Sequence, residues 1–237
     1  MNVSEVHQSN SNPHMNICVI IPAFNESTTI SEVVKGCKKY IKDVIVIDDG
    51  SKDNTGAAAR EAGAVVITHD FNRGKGAALK TAFDYVLSNK WDALIIVDAD
   101  GQHDWNEIPK IIETTNKENS GITIGTRMSN VQKMPLLRKA INLLTSWIIS
   151  RLSGQYIPDS QCGFRLIRSN LLRDLNLATD NFEMESEMII IAARKGYKVS
   201  HVPIKTIYHK KRDRIGPGRD TWKFIKLFAT YIFGFKR

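Results

Sequence analysis

The chain has 237 residues, of which 42% are hydrophobic and 24% are charged, a composition that excludes global disorder, collagen-like sequence and a coiled coil. The net charge of +8 suggests nucleic acid at first, but the segment from Lys198 to Arg237 holds eleven Lys or Arg and two Asp, which leaves residues 1–197 with a net charge of −1. This basic segment also carries six aromatic residues between Trp222 and Phe235. The mixture is more typical of a surface that faces anionic lipid than of one that reads nucleic acid, so we expect no nucleic-acid partner.

The sequence contains no stretch long and apolar enough to span a bilayer. The most apolar segment, Leu136–Leu152, is interrupted by Arg138, Lys139 and Arg151. The N-terminus lacks the basic and apolar regions of a signal peptide, and three cysteines cannot all pair within one chain. We therefore expect a cytoplasmic protein.

Residues 1–15 are polar and predict a disordered tail, and residues 16–237 predict one domain. The first half of this domain alternates between apolar runs and helical periodicity. Strands are predicted at 17–21, 44–47, 64–68, 93–97 and 121–125, and helices at 30–41, 57–62, 77–87 and 108–114. Strands that are continuously apolar are buried on both faces, so the pattern indicates an α/β fold with a mainly parallel central sheet flanked by helices.

The pattern changes after Arg127. A long helix is predicted with an apolar stripe at Leu137, Ile141, Leu144, Ile148 and Leu152, followed by a helix at 183–194, a strand at 199–208, a basic loop at 212–220 and an amphipathic helix at 222–233. The segment from about 205 to 237 is predicted to bind an anionic membrane surface peripherally, on the cytoplasmic face. The alternative is that its aromatic residues pack on the protein's own sheet.

Polar residues follow four consecutive predicted strands, where ligands of parallel sheets bind. The four segments are 21–26, 48–51, 72–77 and 98–103. Any one of them alone would be interpreted as a solvated loop or a helix cap. Four together predict a binding site at this edge of the sheet.

Asp98 and Asp100 lie two residues apart in an extended stretch, so both side chains point to one side and can share a divalent cation, with Gln102 as a neutral ligand. Hard oxygen ligands favour Mg²⁺ or Mn²⁺ over zinc. His103 is a possible further contact at this site, although we expect it to be an exposed loop histidine. The segment therefore predicts a metal and diphosphate site.

These motifs resemble glycosyltransferase family 2, in particular the branch that contains the dolichol-phosphate mannose and glucose synthases. The resemblance rests on Ile-Pro-Ala-Phe-Asn-Glu, Val-Ile-Asp-Asp-Gly-Ser, Asn-Arg-Gly-Lys-Gly-Ala and Asp-Ala-Asp-Gly-Gln-His in the first half. The second half adds Gly-Thr-Arg at 125–127, Asp-Ser-Gln-Cys-Gly-Phe-Arg at 159–165 and Val-Pro-Ile at 202–204. It covers about residues 16–225 in order.

The resemblance implies the GT-A nucleotide-sugar transferase fold, with the donor bound by the first half. It implies donor-binding positions at Pro22, Ala23, Phe24, Asn25, Glu26, Asp48, Asp49, Lys75, Ala99 and Arg219. It implies a metal site at Asp98, Asp100 and Gln102, and catalytic roles for Asp98, Asp100, Arg127, Arg138 and Arg165. The chain departs from the family after Gly216, where Pro217 and Gly218 replace the usual Ser-Lys, so the separate roles of Arg212, Arg214 and Arg219 stay open.

The resemblance implies an inverting, metal-dependent transfer of mannose or glucose from GDP-mannose or UDP-glucose to a polyprenyl or dolichyl phosphate. A lipid monophosphate with a second pKa near ~6 is largely ionised at neutral pH and needs no general base. The alternative acceptor is a sugar hydroxyl in polysaccharide or glycolipid synthesis, which would need a base such as Asp159, Glu183 or Glu185. For Arg165, the alternative to a catalytic role is a pairing with a neighbouring carboxylate.

Overall fold

The structure, a computed structural model, describes residues 15–128, 136–175, 177, 183–205 and 207. The strands are β1 (Ile17–Ala23), β2 (Asp43–Asp48), β3 (Val65–Thr68), β4 (Ala93–Ile96), β5 (Ile122–Thr126), β6 (Arg165–Arg168) and β7 (Val199–Pro203). The helices are α1 (Ile30–Lys38), α2 (Thr55–Glu61), α3 (Lys75–Ser88), α4 (Ile108–Glu118), α5 (Leu136–Ser153), α6 (Ser169–Asp174) and α7 (Glu183–Arg194), with a 3₁₀ turn at Trp105–Glu107.

The strands form one sheet in the order β3-β2-β1-β4-β6-β5-β7. Strand β6 runs antiparallel to both of its neighbours, and every other neighbouring pair is parallel. The apolar residues of the central strands are almost fully buried between the helical layers. The predicted α/β fold with a mainly parallel sheet is confirmed.

Strand β3 lies at the edge of the sheet and pairs only with β2 among the described strands. The side chain of Val65 is 52% exposed. The expectation that every strand of the first half is buried on both faces is therefore wrong for β3, because an edge strand has a neighbour on one side only.

Strand β6 and helix α6 were missed by the sequence analysis. Strand β6 has four residues with arginine at both ends, so it gives no clear apolar run. The last predicted strand, 199–208, ends earlier in the structure, at Pro203.

The predicted apolar stripe of helix α5 is wrong for its middle turns, where apolar residues face outward. Ile141, Leu144 and Trp147 are exposed, whereas Asn142 and Ser146 are buried. Ile148 and Leu152 are partly buried against the core. The inward face can be polar because the loop that follows the helix supplies hydrogen-bond partners for it.

Within the part of the chain that the structure describes, no helix combines the length and apolarity needed to cross a membrane. The predicted tail at 1–15 lies outside the described residues except for Met15, which packs against the core. The predicted C-terminal membrane-binding segment also lies outside them, apart from Lys205 and Ile207.

Candidate active site

The carboxyl ends of β1, β2 and β4 lie side by side because these three strands are parallel neighbours. Their loops are joined by hydrogen bonds. Asn25 N donates to Ser51 Oγ over 2.9 Å, and Thr29 Oγ1 donates to Ala99 O over 2.7 Å. The structure thus brings together three of the four polar segments that the sequence predicts to bind the donor.

Asp49 binds the fourth polar segment, which is the loop after β3. Its backbone N–H donates to Ala23 O over 2.8 Å. Its carboxylate accepts hydrogen bonds from Arg73 N at 2.9 Å, Gly74 N at 2.8 Å and His69 Nδ1 at 2.7 Å. Because this carboxylate is buried and bound to the loop, the geometry favours a role in holding the loop after β3 in place.

The loops after β1, β2 and β3 line an open cleft of about 430 Å³. Its lining residues include Phe24, Ser51, Lys52, His69 and Phe71. A cleft of this size with aromatic side chains and convergent polar groups is typical of a small-molecule site. The other predicted donor residues belong to the same strand ends. Pro22 is a partly buried residue near the end of β1. Glu26 N donates to Thr55 Oγ1 over 2.8 Å, and Asp48 Oδ1 accepts from Ser51 N over 3.1 Å.

Asp98 lies at the centre of a charged cluster with Lys75, His103 and Glu185. Lys75 Nζ is 2.8 Å from Asp98 Oδ1 and 3.1 Å from Glu185 Oε1. His103 Nε2 is 2.9 Å from Asp98 Oδ2. The side chain of Asp98 is 27% exposed, so the cluster opens towards solvent at this carboxylate. The expectation of an exposed His103 is wrong, because the ring is buried against Asp98 and Phe164.

The charges of this cluster stabilise one another. Burial alone would raise the pKa of Asp98, but Lys75 and the hydrogen bond from His103 outweigh it and hold that pKa well below its usual range. Burial would likewise lower the pKa of Lys75, but Asp98 and Glu185 raise it above the usual lysine value. Lys75 is the first residue of α3, a position at which the helix dipole disfavours a cation, so its two carboxylate partners also compensate for that position.

The residues around Asp100 fit a hard cation that is shared with substrate phosphates. Mg²⁺ is usually held by one or two carboxylates together with phosphate oxygens and water. Asp100 Oδ1 accepts a hydrogen bond from Gln102 N over 2.9 Å, which fixes the turn that carries both side chains. Both oxygens of Asp98 already have partners, so Asp98 fits less directly than Asp100. Among the described residues, no group of three His, Cys, Asp or Glu side chains forms a complete protein-only metal site.

Gly163 lies directly against Asp98. A Cβ at this position would lie 2.8 Å from both Asp98 Cγ and Oδ1, which is too close for real side chains. We expect Gly163→Ala to displace the Asp98 carboxylate and to weaken donor binding by about tenfold or more. Titration calorimetry with a nucleotide sugar measures this. Gly154→Ala is the control for a general loss of stability, since its φ of +71° makes alanine strained there while a Cβ meets nothing within 4 Å. Equal donor affinity in both variants would contradict the expectation.

Arg127 and Asp159 form a buried two-pronged ion pair. Arg127 Nε donates to Asp159 Oδ2, and Nη2 donates to Oδ1, each over 2.9 Å. Asn142 Nδ2 also donates to Oδ1 over 2.9 Å. Burial would raise the pKa of Asp159, but Arg127 outweighs it and keeps that pKa below its usual value. The pair fastens the segment after β5 to the loop before β6.

Arg165 is fully buried and bound by the protein itself. Its guanidinium donates to the carbonyl oxygens of Cys162, Ser160 and Glu185 over 2.7 to 2.8 Å. Its Nη2 also lies 3.6 Å from Glu185 Oε2. This geometry favours pairing with a neighbouring carboxylate, the alternative for this residue, over contact with a substrate phosphate.

The structure does not describe the side chains of three predicted site residues. Arg138 belongs to the first turn of α5 and Glu183 begins α7, but only their backbones are described. Arg219 lies outside the described residues. In contrast, His69 and Gly163 are site residues that the sequence analysis did not select, and His103, which it considered only as a possible further contact, also belongs to the site. The position of His69 directly after β3 was a signal that could have found it.

The chain has relatives of similar length. An uncharacterised protein of Methanocaldococcus jannaschii is 37% identical over 198 residues, which are 81% of this chain and 82% of that protein. The UDP-N-acetylglucosamine–dolichyl-phosphate N-acetylglucosaminyltransferase of Methanococcus voltae is 34% identical over 215 residues, 81% of this chain and 86% of the relative. The dolichyl-phosphate hexose transferase of Haloferax volcanii is 29% identical over 191 residues, 79% of this chain and 81% of the relative.

The fold also matches solved structures. The glucosyl-3-phosphoglycerate synthase of Mycobacterium tuberculosis superposes with a TM-score of 0.74 and 19% sequence identity, over 92% of this chain and 81% of that one. This likeness concerns the fold alone, which is the GT-A fold predicted from the sequence.

The family relationship follows from a match over most of the described site. The model of glycosyl transferase family 2 matches residues 18–175, which include β1 to β6 and the loops after β1, β2, β3 and β4. The chain therefore belongs to glycosyltransferase family 2 and is a glycosyltransferase.

Proposed function

We propose that this protein transfers a sugar from a nucleotide sugar to a polyprenyl phosphate, with inversion at the anomeric carbon. The names of the two archaeal dolichyl-phosphate transferases support this acceptor. The observation that carries the proposal lies in the structure itself: of the three carboxylates named as possible general bases, the two whose side chains the structure describes are already paired with cations.

Asp159 and Glu185 are these two carboxylates. Asp159 has no exposed side-chain surface and is bound to Arg127. Glu185 is 9% exposed and is paired with Lys75 and Arg165. Asp159 is a poor proton acceptor, because its protonation would leave the buried guanidinium of Arg127 without a partner. An acceptor phosphate that is already ionised needs no base, and it suits this site better than a sugar hydroxyl does.

The donor would lie along the edge of the sheet, with its nucleotide in the cleft beside Phe24 and its diphosphate near Asp100 and Gln102. A divalent cation at these two side chains would stabilise the negative charge that grows on the leaving diphosphate. The structural neighbour from M. tuberculosis has been solved with Mn²⁺ and UDP, which supports Mg²⁺ or Mn²⁺ as the cofactor. The donors to test are GDP-mannose, UDP-glucose and UDP-N-acetylglucosamine.

A matched panel of acceptors tests the proposal. The full chain is incubated with each donor and Mg²⁺ or Mn²⁺, together with a polyprenyl phosphate, the same polyprenol without phosphate, or free sugars. We expect a lipid-linked monophosphate sugar as the product and no transfer to the polyprenol. Transfer to sugar hydroxyls with none to the polyprenyl phosphate would support the polysaccharide or glycolipid alternative instead.

The pH dependence of the rate is a further prediction. We expect the rate to rise as pH increases through about 6 and then to level off, because the nucleophile is the phosphate dianion, whose second pKa is near ~6. A steady-state pH profile at saturating donor measures this. A phosphonate acceptor, which has a higher second pKa, serves as the control and should shift the rise upward. A rise that stays in place would point to a protein group.

A further inference from the structure

Helix α5 has an apolar outward face at its middle turns, whereas its inward side combines polar residues with the buried Ile149. Among its residues with described side chains, Leu144 and Trp147 are each 59% exposed, and Leu143 is 48% exposed. The buried side carries Asn142, Thr145 and Ser146 together with one fully buried apolar residue, Ile149. A helix that faces water has the opposite arrangement, so the outward face of α5 is suited to an apolar surrounding.

The orientation of α5 is fixed by hydrogen bonds on its inner face. Asn142 Nδ2 donates to Asp159 Oδ1 over 2.9 Å. Ser146 Oγ accepts from Ser160 N over 2.9 Å, and Ser150 Oγ accepts from Ile157 N over 2.9 Å. Turning the apolar face inward would break these bonds and would bury Leu144 and Trp147 against polar groups. The exposure is therefore built into the fold.

The charge of α5 indicates which kind of apolar surrounding its outward face fits. The helix contains Arg138, Lys139 and Arg151 and no Asp or Glu, so its net charge is +3. Arg151 Cζ lies 5.7 Å from the centroid of the Trp147 ring. A tryptophan beside basic residues on an apolar helix face is typical of the interface between lipid headgroups and acyl chains.

The same charge disfavours two other occupants. If a second copy of the protein docked through the same face, two helices that each carry a net charge of +3 would repel each other. The segment 208–237 of this chain holds nine Lys or Arg and two Asp, a net charge of +7, so it too would be repelled by α5. An anionic lipid surface attracts both basic segments.

We propose that the outward face of α5 lies in the headgroup region of an anionic lipid bilayer and forms the docking surface of the enzyme. The role of this docking surface in catalysis rests on the proposed function, because it brings the enzyme to an acceptor that lies in the membrane. The inner face of the same helix holds Asp159 and, through it, Arg127. Docking on α5 therefore sets the active site beside the headgroups, where the phosphate of a polyprenyl acceptor lies.

Flotation of the full chain with vesicles tests the proposal. The vesicles contain equal parts of phosphatidylcholine and phosphatidylglycerol, or phosphatidylcholine alone. We expect the protein to float with the anionic vesicles at low salt. We expect the double variant Leu144→Glu/Trp147→Glu to have a partition constant onto these vesicles that is about tenfold lower. The matched control is Val65→Glu, an equally exposed apolar position on β3, which should float like the unchanged protein.

Three results would overturn the proposal. One is equal flotation of the double variant and the unchanged protein. Another is a change from dimer to monomer in light scattering with flotation retained, which assigns the face to a second copy. The third is a loss of thermal stability with flotation retained, which assigns it to another segment of the same chain.

Activity with two acceptors separates this proposal from the proposed function. We expect the double variant to match the unchanged protein with a short, water-soluble prenyl phosphate and to be slower with a long-chain acceptor in vesicles. If the unchanged protein uses no prenyl phosphate at all, the proposed function is wrong, and the flotation result still decides whether α5 docks. Equal rates for both proteins on the vesicle acceptor would contradict a role of α5 in reaching it.

Discussion

Asp100→Ala is expected to reduce sugar transfer by about a thousandfold or more, because it removes the carboxylate best placed to hold a cation on the leaving diphosphate. Mn²⁺-dependent binding of the donor should be lost as well. The fold should persist, since the Asp100 carboxylate accepts a backbone hydrogen bond from Gln102 N, and such a bond contributes about 1 kcal/mol. Initial rates and calorimetric titration of donor with and without Mn²⁺ measure these effects.

Asp84→Ala is the matched control for this experiment. Asp84 is an exposed carboxylate on α3, away from the loops after the strands. It should change neither the rate nor the dependence on metal. Full turnover by the Asp100 variant, or by the unchanged protein in excess chelator, would refute the assignment of Asp100 to a metal site.

Asp159→Ala is expected to lower the free energy of unfolding by about 3 to 5 kcal/mol, because it leaves the buried Arg127 without its anion. Denaturant unfolding measures the change. Arg127→Met combined with Asp159→Leu should recover part of the loss, since it removes both charges together. If the double variant is as unstable as Asp159→Ala, the loss does not come from an unpaired charge.

The pH dependence of this effect has a definite sign. The folded pKa of Asp159 is depressed, so its contribution to stability is complete above the unfolded value of about 4 and is lost as pH falls through the folded pKa. The stability difference between the unchanged protein and Asp159→Ala should therefore be constant from about pH 7 to about pH 5 and should shrink below about pH 4. A difference that grows towards acid would contradict the buried pair as its source.

The donor side of the site was predictable from the sequence because parallel strands end at a common edge. Any polar residue directly after β1, β2 or β4 must lie near that edge, so Asn25, Asp49 and Asp98 could be grouped without knowledge of the structure. What the sequence could not give is which partner each charge finds. Lys75 and Glu185 lie 110 positions apart in the chain, and no local pattern relates them.

The orientation of α5 was not predictable for a different reason. Periodicity identifies the apolar stripe of a helix, and the rule that this stripe is buried holds only when the interior is apolar. Part of the interior beside α5 is the polar loop around Asp159 and Ser160, which periodicity does not describe. Strand β6 escaped detection because four residues framed by arginines carry too little apolar signal.

The position of β5 in the sheet also determines when the second half of the protein can fold. Both of its partners, β6 and β7, come later in the chain. During synthesis, β5 therefore emerges without a strand to pair with, and β4 keeps an open apolar edge until β6 arrives. Such edges pair readily with other chains, and long-range strand pairing is slow. We expect the nascent chain to be most prone to aggregation between the emergence of Thr126 and that of Arg168, the interval in which chaperones would have the largest effect on its yield.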